Sequence, residues 1–280
     1  MEREGETTVP RTGAIGAAMM LLWLFARFLG AYLPGDAAAF GIQILAALIP
    51  FLLLFALPRE GRGEGTVELT PPARAAWAHV WLLPLFLLTV MLLSILAAAF
   101  AGLFGISSPA PTGSLPILFL NYALAPAFAE EFFFRFVLFR PFARHGKQTA
   151  VWVTAILFAL VHMNLAQLPY ALVGGLFLGA LAASSGSFWI PFLFHLANNT
   201  LSLLLSRTVD PLPLAVIGAL ALTAAQFLHF RSPLDRSSPE RTTAAAFLPD
   251  RATGRGIRAA FTTLLILPAL FCLVLTFLPL

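Results

Sequence analysis

Charged residues are scarce in this chain. Asp, Glu, Lys and Arg make up 11% of its 280 residues, whereas a soluble domain carries about 25%. So few charges cannot cover a surface that faces water. Hydrophobic residues, at 59%, can cover one that faces lipid. The composition therefore excludes an ordinary soluble protein and predicts an integral membrane protein.

Cysteine is nearly absent as well. Cys272 is the single cysteine, so an intramolecular disulfide is impossible and cysteine usage does not indicate the redox compartment. In a soluble protein the net charge of +4 would suggest a nucleic-acid partner. Here basic loops on one side of a membrane explain it, so we predict a lipid bilayer as the surroundings and no nucleic acid as a partner.

Long apolar runs dominate what remains. A run of about 20 apolar residues can cross a bilayer, and in lipid the backbone satisfies its own hydrogen bonds as a helix. We therefore predict an all-α, polytopic bundle of about nine spans (eight to nine). They cover 14–33, 38–57, 77–104, 116–139, 149–165, 169–183, 188–206, 211–230 and 259–279.

Basic residues decide the predicted orientation. Of the 17 Lys and Arg residues, 14 fall in connections on the side of the N-terminus, one (Arg207) falls on the other side, and two (Arg27 and Arg135) fall within spans. Loops rich in Lys and Arg stay in the cytoplasm, so the N-terminus is predicted to be cytoplasmic. Because we see no organelle signal in the sequence, we predict that the protein lies in the inner membrane of a prokaryotic cell.

Three regions follow from this reading of the chain. Residues 1–115 are predicted to hold the N-terminal membrane helices, and 116–206 a core that carries the polar motifs. Residues 207–280 hold further helices, with a flexible cytoplasmic linker at 231–258 that is rich in Pro, Ser, Thr, Arg and Gly.

Two acidic residues stand where charge is costly. Glu130 and Glu131 are the only two of the 13 acidic residues that lie in a predicted span. A charge at the bilayer centre costs about 3 kcal/mol on insertion scales, so such residues indicate a functional site. Arg135 lies one helical turn after Glu131 and is predicted to pair with it. Glu130 is left less compensated, and a carboxyl group in an apolar site can act as a general acid or base.

Two histidines lie in spans beside other polar residues. His162 ends the run Phe158-Ala159-Leu160-Val161-His162, and His195 begins His195-Leu196-Ala197-Asn198-Asn199. Because His195 and Asn199 are four residues apart, both project from one face of a helix and offer two hydrogen-bond donors toward one point. We expect Glu130, His162 and His195 to meet in a pocket that opens to the cytoplasm.

These motifs carry a resemblance to a known family. Glu130-Glu131-Phe-Phe-Phe-Arg135, Phe158-x-x-x-His162 and His195-x-x-x-Asn199 resemble, in order and spacing, the three motifs of the CAAX protease and bacteriocin-processing (CPBP, or Abi-like) family. The resemblance covers roughly 116–206. It implies an intramembrane glutamic endopeptidase that cleaves a membrane-associated peptide or protein, as the type II enzymes that process prenylated CAAX proteins do.

The resemblance also implies roles for the site residues. Glu130, as general base, and His162 would activate the attacking water. His195 and Asn199 would stabilise the tetrahedral oxyanion. The catalytic set is completed by Glu131, which together with Arg135 would support the site, and Phe158 belongs to the supporting set. No metal or other cofactor is implied, although two Glu and two His leave zinc open.

Other functions fit the sequence less well. A noncatalytic bacteriocin-immunity or regulatory protein of the same family is the main alternative. A proton-coupled transporter would use the same Glu and His residues as a relay. Such transporters have paired broken helices in two matching halves, and the sequence shows no such pair. The chain has no His-Glu-x-x-His zinc helix, no Gly-x-Ser-Gly nucleophile pattern, and no aspartate in the middle of a span. The substrate and the oligomeric state are not predicted.

Overall fold

The part of the chain that can be described is helical. The computed structural model of the protein describes residues 67–207, except 70, 105–110, 144, 163 and 165. Within these residues the only β pairing is a single bridge between Glu68 and Ser187. A 3₁₀ helix, Arg74–Leu82, is followed by α1 (Leu83–Gly102), α2 (Leu115–Leu138), α3 (Phe139–Ala143), α4 (Lys147–Leu160), α5 (Leu168–Ser185) and α6 (Trp189–Ser206). The predicted all-α class is thereby confirmed for this part.

Three of the helices meet the requirements for crossing a membrane. Ala76–Gly102, Leu115–Leu138 and Leu168–Ser185 are long and apolar enough. Lys147–Leu160 is apolar but shorter, and α6 has the length but carries polar residues at its centre. The predicted spans 14–33, 38–57, 211–230 and 259–279, and the linker 231–258, lie outside the described residues. The count of about nine spans, the three regions and the cytoplasmic N-terminus therefore stay predictions.

The helix α2 is continuous but not uniform. Two stretches, Leu120–Leu124 and Phe132–Leu138, have π-helical hydrogen bonding, and Ala125–Glu131 between them is α-helical. Pro126 has no N–H to give to the preceding turn, so the wide turn before it loses no bond at that position. π-Bulges change the register of the side chains and occur often at functional sites. Here they flank the segment that ends in Glu130 and Glu131.

Small residues bring α4 and α5 together. A Cβ atom on Gly175 would lie 3.1 Å from Phe158 and 3.2 Å from the Ala155 backbone, and one on Gly179 would lie 3.4 Å from Val151. Gly175 and Gly179 thus form a small-residue contact between α4 and α5. The close approach of the two backbones places Phe158 against α5.

The short segment 67–69 holds the turn between α5 and α6. The Glu68 N–H donates to the Gly186 carbonyl at 2.9 Å, and the Phe188 N–H donates to the Glu68 carbonyl at 3.0 Å. The Trp189 indole N–H donates to the Leu69 carbonyl at 2.8 Å. These bonds fix the beginning of α6 and hence the direction in which its polar face points.

The predicted fifth span, 149–165, is wrong at its C-terminal end. The helix α4 ends at Leu160, and His162 lies in the turn that follows. The His162 Nδ1 atom lies 2.7 Å from the Phe158 carbonyl and occupies an acceptor that the next helical turn would need. Asn164 then builds the turn, because its Oδ1 accepts from the Ala166 N–H at 2.9 Å.

Candidate active site

A cavity lies where α1, α2, α5, α6 and the end of α4 meet. Its volume is about 260 Å³. Five of the seven predicted site residues line it: Glu130, Phe158, His162, His195 and Asn199. The remaining two, Glu131 and Arg135, do not line it and are fully buried. The three motifs thus converge on one place, with one carboxylate of the pair on the cavity and the other behind it.

Glu131 and Arg135 form the predicted ion pair. The Arg135 Nε atom donates to Glu131 Oε2 at 3.0 Å, and both side chains have no exposed surface. The Arg135 Nη1 atom donates to the Thr154 hydroxyl at 2.9 Å, and the guanidinium carbon lies 5.5 Å from the centre of the Phe158 ring. Within the described residues, the Arg135 Nη2 atom has no hydrogen-bond partner. A guanidinium held on three sides fixes the plane of the Glu131 carboxylate.

His195 joins the two carboxylates. Its Nδ1 atom lies 3.0 Å from Glu131 Oε1 and its Nε2 atom lies 3.8 Å from Glu130 Oε2. A carboxylate that is paired with an arginine only accepts hydrogen bonds, so the Nδ1 atom carries the hydrogen. The nitrogen that faces the cavity is therefore Nε2. It can donate a hydrogen bond there only when the imidazole is protonated on both nitrogens.

Glu130 and Glu131 both approach His195, but their other surroundings differ. Glu130 lines the cavity, and its described ionic contact is the 3.8 Å approach to His195. Among the residues that the structure describes, no arginine forms an ion pair with it. Its carboxylate approaches one histidine and faces a space in which water or a substrate can sit. The general-base role expected of Glu130 stays a prediction at this point.

The Phe158 ring lies between the ion pair and the cavity. Its centre is 4.9 Å from the His162 ring and 5.6 Å from the His195 ring, both edge to face. Because a carbonyl oxygen only accepts, the His162 Nδ1 atom donates to the Phe158 carbonyl. In the neutral ring the Nε2 atom is then an acceptor. The FxxxH spacing thus serves both to fix the tautomer of His162 and to pack its ring.

Asn199 lies one helical turn after His195 on the wall of the cavity. The Asn198 amide nitrogen donates to the Asn199 Oδ1 atom at 3.4 Å. With its oxygen engaged, the Asn199 side chain has its NH₂ group to offer to a ligand. His195 and Asn199 thus both lie on the cavity wall on one face of α6, and their role as a pair of donors stays a prediction.

Sequence reasoning missed several polar residues around this site. Thr154 contacts Arg135 from α4 and is fully buried. Further polar side chains line the cavity: Tyr122, Gln167, Tyr170, Asn198 and Ser202. Ser202 follows Asn198 by one helical turn, and only this spacing could have indicated from the sequence that both lie on one face of α6. Tyr170 and Gln167 come from the start of α5, whose approach to α6 depends on tertiary packing.

The donor set does not form a preassembled metal site. Within the described ranges, no group of three or more His, Cys, Asp or Glu side chains is arranged to hold a metal ion. A catalytic zinc takes three protein ligands and a water. Here Glu131 and one nitrogen of His195 are already engaged with each other.

Residues 112–201 match the family model described as Type II CAAX prenyl endopeptidase Rce1-like. The matched segment contains all three motifs and the whole cavity wall formed by α2 and the end of α4, which confirms the resemblance seen in the sequence. The match and the apolar helices together support integral membrane localisation and peptidase activity. No curated protein and no solved structure matches the chain.

Proposed function

We propose that the protein is a membrane-embedded endopeptidase that hydrolyses a peptide bond of a membrane-associated peptide or protein with a water activated by Glu130 and His162. The observation that carries the proposal is the convergence of three separate motifs on one cavity of about 260 Å³. Four side chains with the chemistry of amide hydrolysis line that cavity: Glu130, His162, His195 and Asn199.

Attack begins with the water. Glu130 takes one proton from it, and the His162 Nε2 atom accepts a hydrogen bond from its other hydrogen. The water oxygen forms a bond to the carbonyl carbon, and the carbonyl oxygen becomes an oxyanion. Glu130 then gives its proton to the amide nitrogen as the carbon–nitrogen bond breaks. The products are a carboxylic acid and an amine, and the protein is regenerated.

The oxyanion requires donors on the opposite side of the carbonyl group. Asn199 supplies its NH₂ group, and His195 supplies its Nε2 hydrogen in the doubly protonated state. Glu131 supports that state because its carboxylate accepts the Nδ1 hydrogen at 3.0 Å. A single oxyanion donor raises kcat by a factor of about 10²–10³. Glu131 is thus a positioning and charge-balancing residue, and Glu130 is the base.

The pH profile follows from these protonation states. The proposed mechanism needs His195 protonated on both nitrogens, so kcat/KM falls with rising pH as His195 loses its second proton. In His195→Gln we expect a low rate without the alkaline limb. An alkaline limb of unchanged position in that variant would contradict the role given to His195.

The test is a cleavage assay on the purified full chain. Wild type, Glu130→Gln and His162→Gln are incubated in detergent with a peptide library that includes farnesylated CAAX peptides, and products are read by mass spectrometry. Glu68→Gln, at an exposed position outside the cavity, is the matched acid-to-amide control. We expect cleavage by wild type and Glu68→Gln only, unchanged by EDTA.

Each other outcome has a distinct meaning. Equal cleavage by Glu130→Gln would show that the base is wrongly assigned. Loss of activity with EDTA and its return with Zn²⁺ would replace the metal-free mechanism with a zinc-dependent one. No cleavage of any peptide by wild type would contradict the proposal and favour the noncatalytic immunity or regulatory alternative.

A further inference from the structure

A buried hydroxyl group contacts the Glu131–Arg135 ion pair on the side away from the cavity. Thr154 lies on α4, outside the three motifs, and is fully buried. Its hydroxyl accepts from Arg135 Nη1 at 2.9 Å and donates to the Ala150 carbonyl at 2.7 Å. A hydroxyl has one hydrogen. Because the Ala150 carbonyl takes it, the lone pairs of the Thr154 oxygen are directed toward the arginine.

Four side chains are linked in series from this point. Thr154 holds Arg135, Arg135 Nε holds Glu131 Oε2 at 3.0 Å, and Glu131 Oε1 holds His195 Nδ1 at 3.0 Å. The series ends 3.8 Å from Glu130. Each member has one described polar neighbour on either side, so its orientation depends on the member before it.

Thr154 is the member that ties this series to the scaffold. Its backbone belongs to α4, the same helix that presents Phe158, and its hydroxyl is anchored to the carbonyl one turn earlier. Within the described residues, the Arg135 Nη2 atom has no partner. The guanidinium group would therefore lose its sole described hydrogen bond to another helix if the Thr154 hydroxyl were removed.

We propose that Thr154 is a positioning residue for catalysis, which sets the orientation of His195 through Arg135 and Glu131. This inference rests on the proposed function for its kinetic consequence. Thr154→Val keeps the shape of the side chain and removes the hydroxyl. Outer contacts that orient metal-ligating histidines change activity by about 10- to 100-fold, and Thr154 stands in a comparable position behind His195. We expect a loss of that size in kcat with little change in KM, because no cavity wall is altered.

Two further variants separate positioning from packing. Thr154→Ser keeps the hydroxyl and should retain most of the wild-type kcat. Thr149→Val is the matched control. Thr149 is also fully buried on α4, but its described hydrogen bond runs only to the carbonyl of residue 145 at 2.9 Å. It should keep the wild-type kcat, whereas a general effect of losing a buried threonine hydroxyl would lower both Val variants alike.

A second readout does not depend on turnover. In protein labelled with ¹⁵N-histidine, the signals missing from His195→Gln identify the two ring nitrogens of His195. We expect them to shift in Thr154→Val and to stay in place in Thr154→Ser and Thr149→Val. A wild-type chain without Glu130-dependent cleavage would sink the proposed function, and the NMR comparison would still decide whether Thr154 orients His195.

Three results would overturn the inference: wild-type kcat in Thr154→Val, unmoved His195 signals in that variant, or the same losses in Thr149→Val.

Discussion

Replacing Glu130 or Glu131 by glutamine makes the same chemical change at adjacent positions, yet the structure predicts opposite consequences. Glu131 is fully buried between Arg135 Nε and His195 Nδ1, both at 3.0 Å. A glutamine there has one oxygen and one NH₂ group for two donors, so one donor would face another donor. Glu130 faces the cavity, and no arginine of the described segment pairs with it.

The magnitudes follow from these surroundings. Removing one partner of a buried ion pair costs about 3–5 kcal/mol, because the other charge stays buried and uncompensated. The whole free energy of unfolding of a protein is only about 5–15 kcal/mol. For Glu131→Gln we therefore expect a fall in the unfolding midpoint on the order of 10 °C. For Glu130→Gln we expect an unchanged or higher midpoint, because an ionised group no longer has to be kept in an apolar site.

The assay is thermal unfolding of both variants in the same detergent, followed by tryptophan fluorescence, with cleavage measured in parallel. The expected pattern is a stable, inactive Glu130→Gln and a destabilised Glu131→Gln. Equal midpoints for the two variants would refute the assignment of Arg135 to Glu131 alone. A destabilised Glu130→Gln beside a stable Glu131→Gln would reverse the roles of the two carboxylates.

Further predictions concern packing and substrate contact. Gly175→Ala should lower both stability and kcat, because its new Cβ atom lies 3.1 Å from Phe158 and overpacking costs about 1–3 kcal/mol. Gly179→Ala, whose Cβ atom meets its neighbours at 3.4 Å or more, should keep both, and a greater loss there would contradict this packing. Tyr170→Phe should raise KM without lowering the unfolding midpoint, because the Tyr170 ring lines the cavity and its hydroxyl is available to a substrate. Unchanged KM for several peptides would exclude that contact.

Much of the helical core could be predicted from apolar runs alone. The predicted 116–139 and 169–183 correspond to Leu115–Leu138 and Leu168–Ser185, since lipid leaves the backbone no alternative to the helix. The end of α4 could not be predicted in this way. It depends on the His162 side chain taking the Phe158 carbonyl, and residues 161–165 are as apolar as many that continue a helix.

The candidate site shows the same division between local and tertiary information. The Glu131–Arg135 pair follows from a spacing of four residues, and the shared face of His195 and Asn199 follows from the same rule. That His195 places its Nδ1 atom on Glu131 and its Nε2 atom toward Glu130 depends on how α6 approaches α2. The part played by Thr154 depends on the packing of α4 against α2, and no spacing within either helix indicates it.

The spacing of the ionic contacts along the chain has a consequence for synthesis. Glu131 and Arg135 pair within one turn of α2, so each has its partner as soon as that segment leaves the ribosome and enters the bilayer. His195 arrives 64 residues after Glu131, on the last described helix. A nascent chain that ends before α6 can therefore insert Glu131 and Arg135 as a compensated pair, but it lacks His195 and Asn199, the oxyanion donors of the proposed mechanism. Under the proposed function, proteolytic activity would begin only when α6 joins the bundle, and the unfinished protein would be inert in its own membrane.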